Sequence, residues 1–168
     1  QSDDDELKVI YTDDYEFAAR DGSLRLRMDL AGFEDTYDGK SLDRRVLTVG
    51  NLERHMVVTL DIDTLYSDIK PDPAAYEELW WYFYQQELPM EIAARRSWVD
   101  GDRFWSSHTI VASHGVEVNE RHYDMFQIRG GHWFHVSVAR PFYLEGDSTV
   151  MLAIASSLEV LPADSAGQ

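Results

Sequence analysis

The stretch RHYDMFQIRGGHWFHVSV, Arg121 to Val138, alternates in character about a central Gly-Gly. Tyr123, Met125 and Gln127 interleave with His122, Asp124, Phe126 and Ile128; beyond the glycines, Phe134, Val136 and Val138 interleave with Trp133, His135 and Ser137. A repeat of two is the mark of a strand, whose successive side chains leave opposite faces. Gly130-Gly131 offers the positive φ that a two-residue hairpin turn requires. The stretch therefore predicts a β-hairpin in which Arg129 pairs with His132. Gln127, Met125 and Tyr123 then pair with Phe134, Val136 and Val138 on an apolar core face. The other face pairs Ile128 with Trp133, Phe126 with His135 and Asp124 with Ser137.

Upstream, Asp100-Gly101 and His114-Gly115 are further turn signals. They cut Glu91 to Arg140 into a four-stranded antiparallel meander. Carrying the pairing through His114-Gly115 sets Ser107 opposite His122 and Trp105 opposite Asp124. One sheet face then collects Trp105, Ser107, Glu120, His122, Asp124, Trp133, His135 and Ser137.

Earlier in the chain, Leu7 to Thr12 reads as a short strand. Asp21-Gly22 turns into a strand with Leu24, Leu26, Met28 and Leu30 on one side. A second hairpin turns near Gly50-Asn51, and its return arm carries Val57, Val58, Leu60 and Ile62. The segment after it predicts a helix from Pro73 to about Leu88. Asp72 is its N-cap, Pro73 its first residue, and Tyr76, Leu79, Trp80 and Phe83 its core stripe. Near the end, Asp147 is expected to cap a helix that turns Val150, Met151, Ile154 and Leu158 inward, with a strand following. The class is α+β: one domain over residues 1–168, an antiparallel sheet of about six to eight strands, one long central helix and a C-terminal helix packed on it. The ends, 1–6 and 162–168, read as flexible tails.

The chain has 168 residues, 44% of them hydrophobic, enough to bury a core. It has no cysteine, which excludes disulfides, thiol catalysis and zinc-thiolate sites. Its net charge is −16, which argues against nucleic acid and anionic lipid as partners. No apolar run is long enough to insert in a membrane. The start, QSDDDE without Met, resembles a mature end left by signal-peptide removal, and the expectation from it is a secreted or periplasmic protein.

Ser, His and Asp together on one face suggest a nucleophile relay. However, alternate residues of one strand stand about 6–7 Å apart, too far for Asp124 to orient His122, and no Gly-x-Ser-x-Gly elbow is present. His122, Asp124 and His135 share a face in a set that imidazole and carboxylate ligation of zinc or manganese would use, but the set is incomplete. His132 and His135, three apart, point to opposite sides of a strand. No catalytic residue, metal ligand or cofactor is assigned.

From Arg121 to Val160, the hairpin RGGHWFHVSV feeds a helix ending IASSLEV. This stretch, with the order hairpins, long helix, meander, final helix, resembles the PsbP-like family, which includes the extrinsic protein of photosystem II and DcrB-type domains. That family has an aromatic pair in the hairpin, here Trp133-Phe134, and a similar end to the final helix. The loop from Ala31 to Asp43 has no counterpart. The resemblance implies an antiparallel sheet with helices against it and an accessory or binding role without catalysis.

The helix segment LWWYFYQ wraps every side of a helix with apolar or aromatic residues. Trp81, Tyr82 and Tyr84 cannot all meet one sheet, since successive helical residues turn by about 100°. Either the loop carrying Phe33 and Tyr37 covers them, or they meet a protein, a small ligand or a second copy of the chain as a homodimer. These three, with Trp105, His122, Asp124, Trp133 and His135, are the candidate binding residues. The expected function is that of a non-enzymatic extracytoplasmic binding or accessory domain. The rivals are a small hydrolase or metal-dependent enzyme built on His122, Asp124 and His135, and an acidic immunity or inhibitor protein covering a basic partner.

Overall fold

The alternating segments and the turns between them dictate an architecture of two antiparallel sheets and two helices. The computed structural model describes residues 9–11, 16–19, 22–35, 46–86 and 90–162. In chain order the elements are β1 (Val9–Tyr11), β2 (Glu16–Ala19), β3 (Arg25–Arg27), β4 (Glu34–Asp35), β5 (Val46–Asn51), β6 (Met56–Thr64), α1 (Pro73–Tyr84), β7 (Met90–Asp100), β8 (Arg103–Ser113), β9 (Val116–Arg129), β10 (His132–Arg140), α2 (Asp147–Ser156) and β11 (Glu159–Val160). One sheet has the order β1-β2-β3-β11, the other β4-β5-β6-β10-β9-β8-β7. The α+β class holds. The strands exceed the expected six to eight; β4, in the segment expected to be a loop, has only two residues, too few to announce itself by alternation. Of the expected tails, all but Pro162 lie outside the described residues.

The meander β7 to β10 is antiparallel throughout. The hairpin about Gly130-Gly131 pairs Arg129 with His132 and Met125 with Val136, as alternation predicted. Both glycines have positive φ, 58° and 81°, which glycine adopts without the penalty a Cβ brings. Asp100 pairs with Arg103, so the first turn is Gly101-Asp102, one residue later than the sequence suggested. β10 also pairs with β6, which closes the large sheet across the helix insertion.

Through its strands β8, β9 and β10 the large sheet buries both faces, while β7 at its edge is mostly exposed. Its first face places Val58, Leu60, Ile62, Tyr123, Met125, Phe134, Val136 and Val138 against Leu24, Leu26, Met28, Leu30 and Phe33 of the small-sheet layer and Met151, Ala155 and Leu158 of the α2 segment. Each of the Val, Leu, Ile, Phe and Met side chains taken fully from water contributes about 1.5–3 kcal/mol. Phe33 thus belongs to this core and not to a cover over α1; Tyr37 lies outside the described residues. Asp147 is the first residue of α2, not its cap. Gly146 occupies the cap with φ 98°, and the Asp147 carboxylate accepts from Leu144 N–H and Arg140 Nε.

The second face lies under α1. Asp72 caps that helix, its side chain accepting from Ala74 N–H, and Pro73 opens it. Tyr76, Phe126 and Trp133 are buried there, with Leu65, Ile69, Trp80, Phe104 and Ile128 packed beside them. α1 ends at Tyr84, short of Leu88. Its sheet-facing stripe is also rotated from the expected one. Phe83 is 55% exposed, while Trp81 and Tyr84 turn onto β8, each 5.2 Å from the His108 ring.

Candidate functional site

The polar residues under α1 are brought together by an irregularity in the β8–β9 ladder. Ala112 pairs with Glu117 but Ile110 pairs with Glu120, so β9 carries one extra residue. Asn119 absorbs it with a positive φ of 43°, a conformation Asn tolerates better than most side chains. A slip of one residue moves every side chain of a strand to the other face. Trp105 therefore lies opposite Met125 and Ser107 opposite Tyr123, both on the first face. Trp105 stacks there on Trp98 with ring centroids 5.8 Å apart. The expected pairs Trp105–Asp124 and Ser107–His122 are replaced by Ser106–Asp124 and His108–His122. His108 is the residue that reading through an uninterrupted hairpin misses.

Asp124 is fully buried and bracketed by two diagonal neighbours. From β10, His135 Nε2 donates to Asp124 Oδ1 at 2.7 Å. From β8, His108 Nδ1 stands 3.8 Å from Asp124 Oδ2, too far for a hydrogen bond. An acceptor-only carboxylate on that side favours the proton on Nδ1, so Nε2 accepts from the Tyr84 hydroxyl at 3.1 Å. His122 stacks on His108 at 4.6 Å and donates from Nε2 to Glu120 Oε1 at 2.5 Å. His135 lies flat on Phe126 at 4.2 Å, with the edge of Trp80 4.8 Å away. His132, by contrast, bonds to the Gly130 carbonyl and to Ser23.

Burial sets the protonation of this cluster. The His108 imidazole is pushed down to about 4, first by burial and then by the neighbouring His122, so it is neutral at pH 7. Burial works to raise Asp124, but the bond from His135 and the nearby imidazoles outweigh it and hold the carboxyl below its ordinary value. Glu120 is held low chiefly by the bond from His122. Glu77 of α1, also buried, is met by Arg95 Nη2 at 2.6 Å, and the same guanidinium lies 4.2 Å over the Trp81 ring. Ser106 is 1% exposed, and Asp124 and His108 have no exposed surface. These three groups can orient one another but do not reach solvent, whereas the Glu120 side chain is partly exposed. Among the described residues, no three His, Asp or Glu side chains converge to hold a metal ion.

Beside this cluster, α1 and the sheet leave a cleft of about 290 Å³. Tyr66, Tyr76, Trp80, Phe83, Tyr84 and Trp133 supply six aromatic walls and Leu79 a seventh contact. The Tyr76 and Trp133 rings are 5.1 Å apart and Tyr66 closes on Trp133 edge-on at 6.0 Å. The Tyr76 hydroxyl accepts from Tyr66 N–H, which ties the connecting loop to the helix. Of the expected site residues, Trp133 and Tyr84 border this cleft, while His122, Asp124 and His135 belong to the buried cluster. Trp81 is half-buried between Arg95 and His108, Tyr82 is exposed, and Trp105 is on the far face. Tyr66, Tyr76, Trp80 and Phe83 complete the cleft. Tyr66 gave no signal in the sequence, since it sits in a loop whose position follows from the sheet.

No family model matches the chain, and no curated protein matches it. Among solved structures it is similar to the solution structure of cyanobacterial PsbP (CyanoP) from Synechocystis sp. PCC 6803, with a TM-score of 0.56 at 12% identity over 93% of each chain. It is also similar to the Ran-binding protein Mog1p of Saccharomyces cerevisiae, with a TM-score of 0.54 at 10% identity, over 86% of this chain and 93% of that one. The fold is PsbP-like, as the Arg121–Val160 stretch implied. Among the described residues no helix is long and apolar enough to cross a membrane.

Proposed function

We propose that this chain is a non-enzymatic binding domain that takes its ligand in the aromatic cleft between α1 and the second face of the large sheet. The observation that carries this reading is the cleft's wall. Six rings from a loop, a helix and a strand converge on one concave space, and Phe83 at its edge is left 55% exposed. A concave, mostly apolar site with a few polar handles is the usual form of a ligand pocket, and an apolar ring held in water at its rim is a cost that binding would recover. Of the groups suited to acid–base chemistry, His108 and Asp124 have no exposed surface, closed off beneath the aromatic residues of α1. Mog1p, of similar fold, is described as a Ran-binding protein, which supports a binding role for such a scaffold.

The test uses Nile red, an uncharged apolar dye. Saturable one-to-one binding by the folded chain, weakened at least about fivefold by Phe83→Ser, supports the reading, since an exposed position tolerates the change with little loss of stability. Absence of saturable binding, or binding indifferent to Phe83→Ser, would overturn it.

A further inference from the structure

We infer that the cleft selects an organic cation of the quaternary ammonium class. This rests on the binding reading above and adds the chemistry of the ligand. Aromatic faces carry negative potential, and a cation within about 6 Å of several such faces is attracted to each. Here Tyr66, Tyr76, Trp80, Phe83, Tyr84 and Trp133 surround one space, and among the described residues no Lys, Arg or His lines it. Among the described residues an anionic ligand would find no positive partner in the wall.

Charge behind the wall points the same way. Asp63 stands directly opposite Trp133 in the β6–β10 ladder, and Asp61 opposite His135, so both acids share the face that carries the cleft. Cross-strand partners of this kind stand about 5 Å apart at Cβ. The Tyr66 hydroxyl donates to Asp63 Oδ2 at 3.1 Å, which couples a ring of the wall to a carboxylate. The whole chain, at −16, raises the local concentration of cations further. The same turn of the helix already carries a cation on an aromatic face, with Arg95, paired to Glu77, 4.2 Å over the Trp81 ring.

The methylated nitrogen follows from hydrogen bonding. A primary ammonium is strongly hydrated and brings three N–H donors that must be satisfied on burial. An aromatic wall satisfies few of them. A quaternary nitrogen has no N–H, spreads its charge over methyl groups and gives the rings apolar contact as well. A volume of about 290 Å³ suits one such headgroup with a short tail.

The experiment titrates the full chain with choline and with 3,3-dimethylbutan-1-ol, its uncharged isostere with carbon in place of nitrogen, following tryptophan fluorescence. The expected result is choline binding at least about tenfold tighter than the alcohol, weakening as sodium chloride is added. Phe83→Leu, which keeps an apolar side chain and removes the ring, weakens choline at least about threefold and leaves the alcohol nearly unchanged. Asp63→Asn weakens choline alone. Equal affinities for choline and the alcohol, or no choline binding while Nile red still saturates, overturn the cation assignment and leave the cleft as a binding site. Failure of Nile red together with both small molecules overturns the cleft itself.

Discussion

Acid should weaken this protein through one imidazole. His108 has no exposed surface, and its pKa is depressed to about 4 against about 6.5 in an unfolded chain. Between those values the unfolded state binds more protons, so stability rises with pH across the window and is lost as pH falls through it. Integrated from pH 7.5 down to pH 5, His108 alone removes about 2 kcal/mol, and the loss levels off near ~3 kcal/mol below pH 4. The groups facing it explain the direction. Trp81 and Tyr84 of α1 close over it, Arg95 of β7 and His122 of β9 disfavour its charge, and Asp124 and Glu120 of β9 favour it without prevailing. Asp124 and Glu120, both held low, stabilise the fold above their ordinary values and lose that contribution only at lower pH, which keeps them out of the window. The assay is urea unfolding at pH 7.5, 6 and 5 for wild type and His108→Gln. Glutamine keeps a partner for the Tyr84 hydroxyl and cannot titrate. The difference between the two curves should shrink by about 2 kcal/mol over that range. Parallel curves would refute the reasoning, as would an imidazole signal of His108 that titrates above pH 6 in the native state.

Two other substitutions probe the packing. Trp80→Ala should cost roughly 3 kcal/mol, because its ring touches Tyr84, Phe126 and His135, whereas Phe83→Ala on the neighbouring flank should change stability by less than about 0.5 kcal/mol; equal melting shifts for the two would show that the helix sits in a different rotation. Asn119→Ala should cost about 1–2 kcal/mol for placing an alanine in left-handed backbone while Asn119→Gly is tolerated, and a neutral alanine variant in urea unfolding would mean that β9 carries no bulge there.

Much of the fold follows from local rules. The alternation from Arg121 to Val138 and the Gly130-Gly131 turn decide the hairpin, its register and the membership of both faces, because strand period and turn chemistry are properties of a few covalent units. Asp72 and Pro73 likewise place the start of α1. The candidate site needed tertiary structure. The extra residue at Asn119 is held by Phe142 N–H on the Val118 carbonyl at 2.9 Å and Tyr143 N–H on the Asn119 carbonyl at 3.0 Å, bonds from a segment beyond β10. Nothing within β8 or β9 announces them, so local pairing puts Trp105 and Ser107 under the helix where the molecule puts Ser106 and His108. The rotation of α1 was equally illegible: a segment apolar on all sides has no preferred face of its own, and only the choice of neighbours sends Trp81 and Tyr84 inward and leaves Phe83 in water. The cleft joins Tyr66, α1 and Trp133 across three separate elements. Period and turn are written residue by residue, whereas bulges, helix rotation and clefts are settled by contacts between distant segments whose free energies appear only once the layers pack.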